Sequence, residues 1–383
     1  MDVAIVTHDV ARGSGQGRVN YELTRHLLRQ GIRVDLIADQ VDEDLLAAGA
    51  NWRPVHPGFE DVFLLKVWHF AQLANRLLAR LAGRYDVIMA CGVVLDRPHT
   101  VNVVHFVHEA WRRSASHPFR NGIGVNSLYQ GLFSWMNARW EAQVFEKAQV
   151  VVGVSDQIRR ELVETVGVPA RRVRAIVNGV DVEEFCPGPA AREPLGLPRD
   201  VPLAFFAGDI QSTRKNLGTV LRALVDVPEV HLAVAGDTEG SPYPAQAAAL
   251  GLADRTHFLG FRRDVPALMR ASDFFVFPSR YEACTLVLLE AMASGLPVVT
   301  AHTAGGAELV TEDCGMVLDD PENVDGLARA ARKIGTDPQR RERMGRAARA
   351  VAEAHTWSCM ARQYVDLFEH MAETPSRTFP VNA

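Results

Sequence analysis

Residues 278–299 read PSRYEACTLVLLEAMASGLPVV. The apolar run Asp273 to Phe277 just before them predicts a buried strand, which Pro278 and Ser279 end. Leu286, Leu289, Met292 and Ala293 then recur at helical spacing, so Glu282 precedes a helix and Glu290 lies inside it. The amides of Ala283, Cys284, Thr285 and Leu286 fall at the positive end of that helix, an end suited to phosphate or sugar oxygens. A carboxylate one turn further in, Glu290, can accept both hydroxyls of a ribose.

The same rhythm runs outward in both directions. VAIVT, RVDLIA, YDVIMA, TVNVVHF and QVVVGVS alternate with amphipathic stretches in the first half, and PLAFFAG, VHLAVAG, THFLG, DFFVFP and PVVT do so in the second. Short β-branched runs separated by helical patterns predict βαβ units and therefore two parallel sheets. The Pro- and Gly-dense stretch Cys186 to Pro202 reads as a linker. The expected organisation is a first domain over 1–185, a linker over 186–202, a second domain over 203–357, a last helix over 358–371 and a fraying tail over 372–383.

At 383 residues the chain accommodates two domains of ordinary size. No apolar run reaches the roughly 18 residues of a membrane span. The N-terminus enters a strand directly, without signal-peptide features, so a cytoplasmic location is expected. Five scattered cysteines suit reduced thiols and match neither zinc spacing nor a disulfide framework, so no metal site is expected. Up to Val180 there are 21 Lys and Arg against 18 Asp and Glu, and beyond it 20 against 28. That asymmetry is too weak for nucleic-acid binding and is compatible with an anionic acceptor or an acidic membrane surface.

The stretch from Glu282 to Glu290 resembles the E-x7-E signature of family 4 retaining glycosyltransferases (glycosyltransferase group 1). The resemblance covers nearly the whole chain and implies an α/β protein of GT-B fold. Its two Rossmann-like, doubly wound parallel-sheet domains would face a cleft, and the C-terminal helix would cross back to the N-terminal domain. It further implies transfer of a sugar from a UDP-, GDP- or ADP-sugar to a glycan, lipid-linked or small-molecule hydroxyl, with retention, without a metal and with no cofactor besides the donor. Glu282 and the amides after it would orient the sugar, and Glu290 would hold the ribose.

GDIQSTRKNLGTVL follows the first strand of the second half and places Arg214 and Lys215 where a diphosphate would lie. Cations there stabilise the charge that develops on a departing phosphate. The segment resembles the family's G-R-L-x-x-x-K-[GN] pattern, with Asp209 where an Arg is usual and a loop one residue longer, so Arg214 is expected to replace the missing cation. Thr285, where the family most often has Gly, narrows the sugar pocket.

ARGSGQGRVNYEL after the first strand lets the backbone approach a ligand, and the resemblance implies that Gly15 contacts the donor phosphates. Its G-x-G-x-G spacing and the five residues before Gly13 argue against a dinucleotide fingerprint, although Asp39 stands where a ribose-binding acid would. His105, at the end of a buried strand, is the candidate for contact with the reacting sugar, and His108, Trp111 and Arg112 are candidates for the acceptor. Phe261 and Arg262 are candidates for the base, with Asp264 as a helix cap. The helix VFLLKVWHFAQLANRLLARL either covers the sheet or touches a membrane interface. A catalytically altered binding protein of the same fold is the competing reading, motivated by Asp209 and Thr285.

Overall fold

The computed structural model describes residues 1–58, 63–81, 83–120 and 124–373. Two units emerge: Met1–Asn178 with the segment from Trp357 onward, and Gly179–Thr356.

The first unit is a seven-stranded parallel sheet of β1 (Asp2–Val6), β2 (Arg33–Ala38), β3 (Asn51–Pro54), β4 (Val87–Cys91), β5 (His99–Val104), β6 (Ala148–Gly153) and β7 (Val173–Ala175). In space they run β3-β2-β1-β4-β5-β6-β7. Its helices include α1 (Gly15–Arg29), α2 (Phe63–Arg80), α3 (His108–Arg113) and α4 (Val125–Lys147). Ser14 caps α1 by accepting the Gly17 amide at 3.1 Å. Gly17 itself is obligatory, because a Cβ there would stand 2.6 Å from the Ala11 carbonyl. The C-terminal helix Trp357–Glu373 belongs to this unit, where the Arg18 guanidinium lies 5.9 Å over the Trp357 ring.

The second unit repeats the plan with six parallel strands: β8 (Leu203–Ala207), β9 (His231–Ala235), β10 (Thr256–Phe258), β11 (Phe274–Phe277), β12 (Val298–Ala301) and β13 (Gly315–Leu318), ordered β10-β9-β8-β11-β12-β13. Helices α5 (Leu217–Val225) and α6 (Leu286–Ala293) follow β8 and β11. Phe205, Phe206, Phe274, Phe275 and Phe277 are fully buried, as expected of central strands covered on both faces.

The boundary falls at Asn178/Gly179, ahead of the expected linker. The stretch 186–202 is instead integral to the second unit. Arg192 donates to the Ala271 carbonyl (2.8 Å) and to Asp273 (2.9 Å), and Leu197 is buried in that core. Its prolines and glycines suit irregular backbone pinned by one arginine as well as they suit a hinge. The expected tail lies largely in 374–383, outside the described residues. No described helix is long and apolar enough to cross a membrane.

Candidate active site

In both sheets the strand order reverses beside the first strand, and in open α/β sheets ligands sit at the carboxyl ends of the strands flanking such a point. In the second unit those strands are β8 and β11. The turn from β8 into α5 is built by Asn216, buried and left-handed at φ 65°, whose amide donates to the carbonyls of Pro278 (3.0 Å) and Pro321 (2.7 Å). The Arg214 carbonyl accepts from the Arg280 amide (2.9 Å) and the Ser279 hydroxyl (3.0 Å). These bonds tie the β8 exit to the β11 exit.

From the other side, the Glu282 amide donates to Thr303 and its carbonyl accepts from Gly305 (3.1 and 2.9 Å). Gly305 must be glycine, since a Cβ would stand 1.9 Å from the Ala283 carbonyl. The Glu282 carboxylate is thus held between two fixed loops. Its Oε1 accepts from Lys215 Nζ at 2.6 Å and from Arg214 Nη1 at 2.8 Å, while Arg214 also donates to the Tyr281 carbonyl at 3.2 Å. Burial pushes the Lys215 ammonium below its usual pKa, and the Glu282 carboxylate opposes that push. Glu282, Arg214 and Lys215 therefore form one ion cluster.

Asp209 is turned back on its own loop, accepting from the Gln211 amide and the Ser212 hydroxyl at 2.8 Å each. Burial would raise its pKa, but those hydrogen bonds outweigh it and hold the carboxyl below the usual range. Glu290 lies in the second turn of α6, half-buried. The Thr285 amide donates to the Gly305 carbonyl at 2.8 Å, so it does not face a ligand in the way the sequence suggested. The side chain of Thr285 does not cap the helix; its hydroxyl is buried and has no hydrogen-bond partner among the described residues. Ala283, Cys284 and Leu286 flank it at the helix start.

Beside this cluster an open hollow of about 420 Å³ lies at the ends of β8 and β9, lined by Gly208, Asp209, Gln211, Gly236, Asp237 and Phe261 among others. Gly236 has no room for a side chain, its Cβ position falling 2.4 Å from the Gly208 carbonyl. Phe261 is 73% exposed at the hollow's edge. Arg262 is bidentate to Asp264 (2.7 and 2.5 Å), which leaves Asp264 a salt-bridge partner rather than the expected cap.

In the first unit Gly15 opens α1 behind its Ser14 cap. His105 follows β5; its Nε2 is buried without a partner among the described residues, and burial lowers its pKa to about 4. His8, which sequence reasoning passed over, stands two residues after β1: both ring nitrogens are buried without a partner among the described residues, and burial followed by the nearby Lys66 lowers its pKa to about 4. The signal was available, since each histidine stands within two residues of the end of an apolar strand. Both rings are neutral at physiological pH and carry unused hydrogen-bonding capacity.

The acceptor candidates are engaged elsewhere. His108 donates its amide to Glu141 Oε2 (2.9 Å) and its Nδ1 lies 2.6 Å from Oε1, fixing α3 to α4. Trp111 is a core ring, edge-on to Phe106 and tilted against His117, rather than a stacking platform. Arg112 is bidentate to Glu109 (2.9 and 2.8 Å). Local pairing of this kind has no distinct signature in a single sequence.

Comparison with known proteins agrees with this layout. The family model described as Glycosyltransferase Family 4 matches residues 13–184, and that described as Glycosyl transferases group 1 matches residues 189–351. A D-inositol 3-phosphate glycosyltransferase of Kribbella flavida is 32% identical over 92% of this chain and 90% of its own. Among solved structures, sucrose-phosphate synthase from Thermosynechococcus elongatus superposes with a TM-score of 0.76 at 20% identity, covering 97% of this chain and 98% of that one. HepE of Anabaena, in complex with UDP and glucose, superposes with a TM-score of 0.71 at 21% identity, covering 97% and 100%. Those two likenesses are of fold.

Proposed function

The chain belongs to the group 1 glycosyl transferases of GT-B fold, and from that premise we propose that it transfers a sugar with retention, from a nucleotide diphosphate to a glycan, lipid or small-molecule hydroxyl, and without a resident metal. The observation that carries the reading is the shared carboxylate: Lys215 and Arg214 both on Glu282 Oε1, at the point where the strand order of the second sheet reverses.

Two cations on one carboxylate leave a net positive charge, which attracts a diphosphate. As the sugar–phosphate bond breaks, negative charge grows on the leaving oxygen, and the Lys215 ammonium and Arg214 guanidinium stabilise that state more than the intact donor. Arg214 thus supplies the cation missing at Asp209, whose carboxylate is tied into its own turn. Glu282 keeps a poorly solvated ammonium charged and both side chains in place until donor arrives. Glu290 receives the ribose, Phe261 with Arg262 the base, and Thr285 with the amides of Ala283, Cys284 and Leu286 the sugar. Gly15 meets the donor phosphates, and neutral His105 hydrogen-bonds a sugar or acceptor hydroxyl without taking its proton at neutral pH.

The test is transfer or hydrolysis of UDP-, GDP- and ADP-sugars, with the product anomer read by proton NMR. Release of a nucleoside diphosphate with retained configuration is expected. Binding of a donor with no turnover for any acceptor or water would favour the binding-protein reading instead.

A further inference from the structure

The middle of helix α4 has its polarity inverted, although Val144 and Phe145 near its end are buried in the ordinary way. It turns Ser134, Asn137 and Glu141 into the first unit, each almost wholly buried, while Leu128 (52%), Leu132 (55%) and Trp135 (48%) are exposed. These three stand at i, i+4 and i+7 and so share one face. Phe119, 53% exposed, extends the stripe: its ring occupies the space beside Gly131, where a Cβ would come within 2.9 Å of it. A helix that buries polar groups and exposes a run of leucine and tryptophan has its apolar side made for something other than water.

The charge around the stripe indicates what that is. The Arg139 guanidinium lies 5.4 Å over the Trp135 ring, one turn further along the same face. Arg120 follows Phe119 and is exposed, and neither arginine has a carboxylate partner among the described residues. Aromatic rings bordered by unpaired arginines match the interface of an anionic bilayer, where rings settle at headgroup level and guanidiniums meet lipid phosphates. A second copy of the chain fits less well, since apposing this face with itself would bring like charges together.

We propose that the outer face of α4, with Phe119, docks on an anionic lipid surface. The helix at 63–80, weighed from sequence as a sheet cover or a membrane contact, buries Phe70, Ala74 and Leu78 in the core of the first unit, and the proposal for α4 stands apart from the donor reading because it uses no residue placed at the donor.

Co-sedimentation of the full chain with phosphatidylcholine vesicles, with and without phosphatidylglycerol, tests it. Binding is expected with phosphatidylglycerol, weakened by salt. It should fall roughly tenfold or more in Leu132→Ser/Trp135→Ser and, for anionic vesicles only, in Arg120→Ser/Arg139→Ser. All four side chains are exposed, so circular dichroism should show both variants folded. No binding to the anionic vesicles, equal binding by folded variants, or a serine variant that merely abolishes a dimer would each overturn the proposal.

Discussion

The two sheets share a strand order and differ in what they place at its reversal. The second unit puts charge there, a carboxylate binding a lysine and an arginine, with backbone bonds from three loops around it. The first unit puts an uncharged imidazole there, His8 after β1, and a second, His105, one strand further on after β5, each with a buried ring nitrogen that has no partner among the described residues. One scaffold therefore yields two kinds of site: one suited to an anion whose charge changes during reaction, the other to neutral hydroxyls.

That contrast can be broken in several ways. The greatest loss should come from Lys215→Ala, with turnover down by about 10²- to 10³-fold and the melting temperature little changed; unchanged turnover would remove the ammonium from the leaving-group role. Next comes acid. His8, His99 and His105 titrate near 6.5 when unfolded and near 4 in the fold, so between those values the unfolded chain takes up protons that the fold refuses. The first unit should be fully stable above pH 6.5 and lose on the order of 1 kcal/mol per pH unit per ring as pH falls toward 4. Hydrogen exchange should then quicken in β1 and β5 before β8 and β11, and the reverse order would refute the assignment.

Gly305→Ala should cost about 1–3 kcal/mol of stability and weaken donor binding, because the loop carrying Glu282 must move away from the new methyl; calorimetry of the variant with and without nucleotide measures both. Glu282→Gln removes the carboxylate that opposes the depression of the Lys215 pKa, so the alkaline limb of the pH–rate profile should move to lower pH. Smallest of all, His105→Gln should slow transfer only several-fold, as expected for loss of one neutral hydrogen bond. The wild-type rate should show no inflection from this ring between pH 6 and 8, and a histidine-dependent inflection there would show it acting as a base.

Much of this was legible in the chain and some was not. The central strands announced themselves because both faces are buried and every residue is apolar, as in Leu203–Ala207 and Phe274–Phe277. The edge strands β3, β7 and β13 did not. Asn51–Pro54 is held by Asn51 and Arg53 side chains on Asp35 as well as by its backbone, and no alternation of four residues reveals that. Glu282, Arg214 and Lys215 could be singled out, yet their convergence on one oxygen depends on loops 65 residues apart in sequence. Trp111 and Arg112 were singled out by residue type, whereas the burial of the one and the pairing of the other with Glu109 are matters of packing.

The buried amide of Asn216 has one more consequence. It anchors the β8–α5 turn from its downstream side, so the two cations take their positions from the residues that follow them rather than from the strand that precedes them. The segment 209–213 can then gain or lose a residue, as it has against the pattern it resembles, without carrying the charges with it. A change of length there falls on the side of the loop that borders the hollow and leaves the cluster of Arg214, Lys215 and Glu282 where it is.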